Sequence, residues 1–193
     1  ELDQPLDVPL VVDLNYGKNW KDTKNKELVK LEDKNTSELT TNNNPAGLDY
    51  IKSLGITHLQ LLPVLDFATM DEKDPNAKYN WGYDPAQYFA LEGCYASNLS
   101  DPYSRIVDFL TLVKTYHEAN IRINLDVVYN HVYDALNSNF QKVVPNYYFR
   151  RTNNGKMSNC SYCGNDLATE KRMVRKLIID SVVHLVKTYH VDG

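Results

Sequence analysis

No apolar run in this chain approaches the ~20 residues needed to cross a bilayer. The opening residues Glu1-Leu2-Asp3-Gln4 are acidic and polar, so no secretory leader is expected there. Cysteine is scarce: three residues, an odd number, exclude a full disulfide framework and leave the compartment open. Positive charge is in deficit, with 21 Lys and Arg against 25 Asp and Glu, net -4. A broad cationic footprint for nucleic acid is therefore excluded. Also missing are a Gly-rich phosphate loop, a Ser nucleophile elbow and a zinc-protease helix. What remains is ordinary globular composition, 42% hydrophobic and 24% charged over 193 residues, enough for one domain. The 14 Tyr against 5 Phe stand out, because a phenol offers a ring face and a hydroxyl together. That pairing suits a polar, sugar-like ligand as well as a core.

Apolar patterning gives the order of elements. Pro9-Leu10-Val11-Val12-Asp13-Leu14 reads as a buried strand, and Lys18 to Asn44 as a long solvated loop with one weak turn near Glu27 to Leu31. Asn44-Pro45 starts a helix whose apolar face is Leu48, Ile51 and Leu54, and Gly55 ends it. Ile56 to Leu62 reads as a second strand, stopped by Pro63. After a long connection, Pro102 to Ala119 is predicted helical, with Ile106, Leu110, Val113 and His117 on one face and Phe109, Leu112 and Tyr116 beside them. Ile121 to Val128 is the third strand. A polar, Tyr-rich stretch runs to about Leu167. Thr169 is the expected cap of a last helix with the stripe Met173, Val174, Leu177, Ile178, Ser181, Val182, Leu185, Val186 and Tyr189. His190-Val191-Asp192-Gly193 looks like the entrance to one more strand. Strands alternating with helices mean parallel βαβ units. They fit either a small doubly wound sheet or the front part of a (β/α)8 barrel, which typically needs ~250 residues.

In such folds ligands bind where strands end and loops lead to the next helix. Here those loops are long, and the opposite ones, Gly55-Ile56 and Asn120, are short. The loop after the second strand holds Asp66, Tyr79-Asn80-Trp81-Gly82-Tyr83-Asp84-Pro85 and Glu92. The third strand ends in Asp126-Val127-Val128-Tyr129-Asn130-His131. Asn124 and Asp126 share one side of that strand. Asp126 fits a structural acid as well as a functional one, and His131 close by raises the functional reading. The Tyr79–Pro85 loop fits a self-packed aromatic loop as well as a stacking platform for sugar rings. Cys160 and Cys163 have redox or metal spacing, but no second ligand pair accompanies them, and chance spacing is the larger share. Asn35-Thr36-Ser37, Asn98-Leu99-Ser100 and Asn159-Cys160-Ser161 match the glycosylation pattern, which has meaning only in a eukaryotic secretory setting.

Four segments carry a family resemblance. Gly47 to Val64, Tyr79 to Pro85, Asp126 to His131, and Cys163-Gly164-Asn165-Asp166 through to Gly193 resemble the type I pullulanases. These are debranching enzymes of the α-amylase superfamily, glycoside hydrolase family 13. The likeness runs from about 45 to 193, and the Tyr79–Pro85 loop is its most specific element. The chain departs from the family pattern at its first strand, Val11 to Lys18, at Leu91 and Cys94, and at Cys160 and Tyr162.

The resemblance implies a parallel (β/α)8 TIM barrel of the α-amylase type, truncated after about three βα units, with residues 1–193 as part of one catalytic domain. It implies an α-glucan partner and retaining cleavage of α-1,6 bonds, which needs one carboxyl as nucleophile and another as acid/base. Both, and a third Asp, are expected beyond Gly193, so no catalytic residue is expected within the chain, and the chain alone is expected to be inactive. The missing barrel half is then its implied partner. Tyr83 would stack on the sugar, His131 would bond its hydroxyls, and Asp126 would orient them. Trp81, Asp84 and Asn130 would support the site. No cofactor or metal is expected. Asn130 matches a position that binds calcium in some amylases, but that ion takes roughly 6–8 oxygens. Alternatives are a non-catalytic glucan-binding or pseudoenzyme fragment, another family 13 enzyme such as an isoamylase or branching enzyme, and a redox or metal module on Cys160 and Cys163.

Overall fold

The computed structural model describes residues 10–12, 47–75 and 77–193. The expected solvated stretch from 18 to 44, the helix start at Asn44-Pro45, the ends of the first strand and Asn35-Thr36-Ser37 lie outside the described residues. Three strands, β1 (Leu10–Val12), β2 (His58–Leu61) and β3 (Arg122–Leu125), form a parallel sheet in the order β1-β2-β3. Leu59 sits opposite Leu10 on one side and Ile123 on the other. Leu59, Leu61 and Ile123 are buried, while His58, Gln60 and Asn124 on the alternate face are half-buried and Arg122 is exposed, so one face of the sheet is closed and the other only partly covered. Beyond β3 the ladder continues: Asp192 N–H donates to the Ile123 carbonyl and Leu125 N–H to that of Gly193, both at 2.8 Å. Val191–Gly193 thus runs alongside β3, where the sequence placed the entrance to one more strand.

Helix α1 (Gly47–Ser53) buries Leu48 and Ile51 and is closed by Gly55, whose φ of +65° a residue without a Cβ adopts at least cost. The expected face residue Leu54 lies exposed beyond its end. Helix α2 (Ser104–Glu118) buries Phe109, Leu112, Val113 and Tyr116. Ile106 and Leu110 are only half-buried, so the core face lies one step round from the stripe read off the sequence. His117 is not a core residue: its Nε2 lies 2.7 Å from Asp192 Oδ2. Asn120 turns the chain into β3 in the left-handed region, at φ +60°.

Two expectations are corrected. The last helix, α4 (Arg172–Tyr189), is not capped by Thr169. Its N-cap is Lys171, and the Thr169 hydroxyl instead accepts from Arg150 Nη2 at 3.4 Å. Its stripe is also narrower than expected. Val174, Ser181, Leu185 and Tyr189 are buried, whereas Met173, Val182 and Val186 are exposed, because helix α2, through Phe109 on Tyr189, and the loop bearing Tyr88 cover only part of that apolar arc. A short helix, α3 (Asn139–Val143), stands in the stretch expected to be irregular. Ser138 caps it by accepting from the Gln141 N–H at 3.2 Å, a Ser-x-x-Gln start. One apolar cluster joins sheet, α1, α2 and α4. A second, containing Tyr88, Val132, Phe149, Leu167 and Val174, lies under the long loops.

Candidate functional site

The connection from β2 to α2 is folded on itself. Its two limbs are tied by Glu92 N–H to the Val64 carbonyl at 2.9 Å, Asp66 N–H to Ala90 at 3.0 Å and Ala68 N–H to Asp84 at 3.0 Å. Buried Glu92 rivets them further, accepting from the amides of Phe67 (3.1 Å) and Cys94 (2.8 Å). Asp84 Oδ2 accepts from the Thr69 amide at 3.0 Å and hydroxyl at 2.6 Å, and from Asn80 Nδ2 at 3.3 Å. Asn80 Oδ1 in turn accepts from the Gly82 amide at 2.7 Å. This is the local Asx chemistry that shapes turns. Gly82 has φ +84° and lies against Pro63; a Cβ there would come within 2.8 Å of the Pro63 Cβ. The loop therefore lies flat on the end of β2 and aims Tyr83 toward the neighbouring strand.

Tyr83 donates to Asp126 Oδ2 at 2.7 Å. Asp126 stands just past β3, its own amide bonded to the Leu61 carbonyl at 2.9 Å. The Tyr83 phenol is pushed up to about 12 by that hydrogen bond, then by burial and the Asp126 charge. His131 is buried, with Nδ1 3.2 Å from Asn130 Oδ1 and a further hydrogen bond to the Tyr83 backbone. Burial holds its imidazole below the ordinary value, against the pull of that bond and of Asp84 and Asp166. The Tyr133 amide donates to the Pro85 carbonyl at 2.9 Å, which joins the two loops. Tyr83, Asp126, His131, Asp84 and Asn130 are thus brought together at the carboxyl end of the sheet. Trp81 belongs to the same loop but packs edge-on against Tyr79, ring centres 5.3 Å apart, with over half its surface exposed.

Asp66 and Glu92, expected on the same face, form a separate cluster with Glu72 and Arg105. Arg105 grips Glu72 through two bonds of 3.0 and 2.8 Å. Burial, then the charges of Glu92 and Glu72, push Asp66 up to about 6, partly opposed by Arg105. Among the described residues no three Asp, Glu, His or Cys side chains gather as a metal would need. Asn130 Oδ1 lies 3.2 Å from His131 Nδ1. Cys160 and Cys163 are exposed free thiols, while Cys94 is a buried one.

Several contributors were not read from the sequence. Asn165 clamps both backbone groups of Val132, accepting from its amide at 3.0 Å and donating to its carbonyl at 2.7 Å. Burial works against ionisation of Asp166. Hydrogen bonds from Ser158, Ser161 and the Cys160 amide outweigh it and hold the carboxyl far below the usual range. Asn165-Asp166 lies in an Asn/Gly/Ser stretch whose composition signals only a loop.

The α-amylase catalytic-domain family ("Alpha amylase, catalytic domain") matches residues 45–163. Pullulanase of Bacillus subtilis (strain 168) is 49% identical over 158 residues, covering 82% of this chain and 22% of the relative. Pullulanase 1, chloroplastic, of Arabidopsis thaliana is 32% identical over 205 residues, covering 88% and 21%. The chain therefore spans about a fifth of the length of these curated relatives. Among solved structures, type I pullulanase of B. subtilis complexed with maltose superposes with a TM-score of 0.78 at 51% identity, covering 80% of this chain and 22% of that one. Pullulanase of Anoxybacillus sp. LM18-11 complexed with maltotetraose gives 0.82 at 40% identity, covering 100% and 29%.

Proposed function

The chain belongs to the α-amylase catalytic-domain family, and from that premise we propose that it supplies one wall of the glucose site of an α-1,6-glucan debranching hydrolase. Its parallel strands are part of that family's (β/α)8 barrel, about three βα units of it. The observation that carries the reading is the Tyr83–Asp126 bond with His131 against the Tyr83 backbone. A ring face, a carboxylate and an imidazole converge at one mouth. The half-exposed Tyr83 ring offers an apolar face to the C–H side of a glucose unit. Its hydroxyl is held by Asp126, so the ring has little rotational freedom to lose on binding. His131, neutral at neutral pH because burial disfavours its cation, can give or take one hydrogen bond with sugar hydroxyls.

Retaining cleavage needs two carboxyls free to act as nucleophile and acid/base. Asp126 is engaged by Tyr83, and Asp84 by Thr69 and Asn80. We assign these groups to binding and support, and no catalytic step to any residue of this chain. Nor is a cofactor assigned, since the chemistry proposed here is binding.

The test is calorimetric titration of the 193-residue protein with maltotriose, beside Tyr83→Ala. Loss of the ring should weaken binding by up to about 10-fold, the scale of ~0.5–1.5 kcal/mol for an aromatic ring contact. Equal binding by both proteins would remove Tyr83 from the sugar site. Pullulan and linear amylose offered to the protein separate α-1,6 from α-1,4 recognition, and the reading expects preference for pullulan.

A further inference from the structure

Ser181 sits in the middle of the apolar stripe of α4, where packing alone calls for an aliphatic residue. It is completely buried, and a buried hydroxyl without partners is costly. Here every bond is used. Ser181 Oγ donates to the Tyr88 carbonyl, and Tyr129 Oη lies 2.7 Å from the same Oγ. Because the single Ser181 proton is committed to Tyr88, Tyr129 is the donor in that second bond. Tyr88, itself buried, donates its hydroxyl to the His131 carbonyl at 2.7 Å. Its ring packs on Tyr129 and stacks on Phe140, centres 5.2 and 6.0 Å away. Three hydroxyls thus link helix α4 to the backbone of His131.

That backbone is gripped at three successive residues: the His131 carbonyl by Tyr88, both Val132 groups by Asn165, and the Tyr133 amide by the Pro85 carbonyl. The imidazole has looser ties, Asn130 Oδ1 at 3.2 Å and the Tyr83 backbone. Its direction is therefore set mainly from behind. Tyr88 comes from the same connection as Tyr83, five residues on, so one element carries the sugar-facing ring and also fixes the histidine beside it. We propose that Tyr88, braced by Ser181 and Tyr129, is the positioning residue for His131 in the glucose site. The assignment rests on the sugar-site reading for its purpose, but not for its geometry.

The experiment follows the His131 ring signals by NMR across pH in the unaltered protein, Tyr88→Phe, Ser181→Ala and Phe140→Leu. Tyr88→Phe keeps the ring and deletes only the donor. With its carbonyl released, His131 should gain access to water, and its titration should move up toward the ordinary imidazole range. Maltotriose dissociation should rise about fivefold, the scale of one neutral hydrogen bond. Phe140→Leu loosens the packing around the same ring without touching the bond, so it should leave the His131 titration in place. Asp84 and Asp166, the charged groups that face His131, are unchanged in every variant. Tyr88→Phe titrating like the unaltered protein, or Phe140→Leu moving His131 as far, would overturn the proposal. If Tyr88→Phe does not fold, Ser181→Ala carries the decision by the same readout. Absence of maltotriose binding by the unaltered protein would count against the sugar site, while the His131 titration still decides the positioning role.

Discussion

Asp66 shows how a single residue can lower stability in a well-formed loop. Its ordinary value of 3.8 is pushed up to about 6 in the folded chain, by burial first and then by Glu92 and Glu72. The folded state therefore holds this proton over a pH range where the unfolded chain has released it. Between about 4 and 6 stability falls as pH rises, and above 6 the full cost is present. Asp66→Asn removes the charge and keeps the shape. We expect its Tm to exceed that of the unaltered protein at pH 7–8 by about 2–4 °C, the shift that ~1 kcal/mol gives at this size, and the gap to close by pH 4. Thermal melts at both ends of that range check the sign. Tyr83 follows the same sign at higher pH, through a hydrogen bond rather than through burial. Its raised phenol contributes stability that is fully present below 10 and lost as pH climbs through about 12.

At the scale of elements, the connection between β2 and α2 behaves as a folded unit. At Gly82 this unit closes on Pro63, and Gly82→Ala adds both a Cβ against Pro63 and strain at φ +84°. The expected cost is about 1–3 kcal/mol, with a matching loss of maltotriose affinity because Tyr83 is carried off its bond to Asp126. A denaturant midpoint measured beside a binding titration checks both. The helices and strands of this region were legible in the sequence because their apolar periods are strong and Gly55 and Pro63 mark the ends. That Tyr83, Asp126 and His131 gather at one end of the sheet was legible through their place at strand ends and through the family likeness. Glu92 as a rivet, Asn165 as a clamp and Tyr88 as a brace were not. Each acts on a backbone amide or carbonyl far away in the chain, and no local spacing records such a partner. The arc of α4 was misjudged for a related reason, since an apolar stripe shows what can be buried and not how much surface arrives to cover it.

For the whole molecule, β2 is paired with β1 and with β3, and β3 is flanked by β2 and by the 191–193 segment. The amides bonded within this ladder, including those of Arg122 and Leu125, should exchange slowest with solvent, and those near Asn153 and Asn154 fastest. Hydrogen exchange followed by mass spectrometry checks this order, and an early-exchanging β2 would contradict the ladder. The long loops should lie between these limits, because a second apolar cluster sits beneath them.

The distribution of sulfur gives this molecule ready-made attachment points. The Cys94 thiol is buried and pushed up by that burial, so at neutral pH it stays protonated and unreactive. Cys160 and Cys163 face solvent on the turn that leads to Asn165, which clamps Val132 in the histidine loop. A maleimide dye would find only that turn among the three thiols, and would sit where the arrival of a carbohydrate could change its brightness without any engineered cysteine.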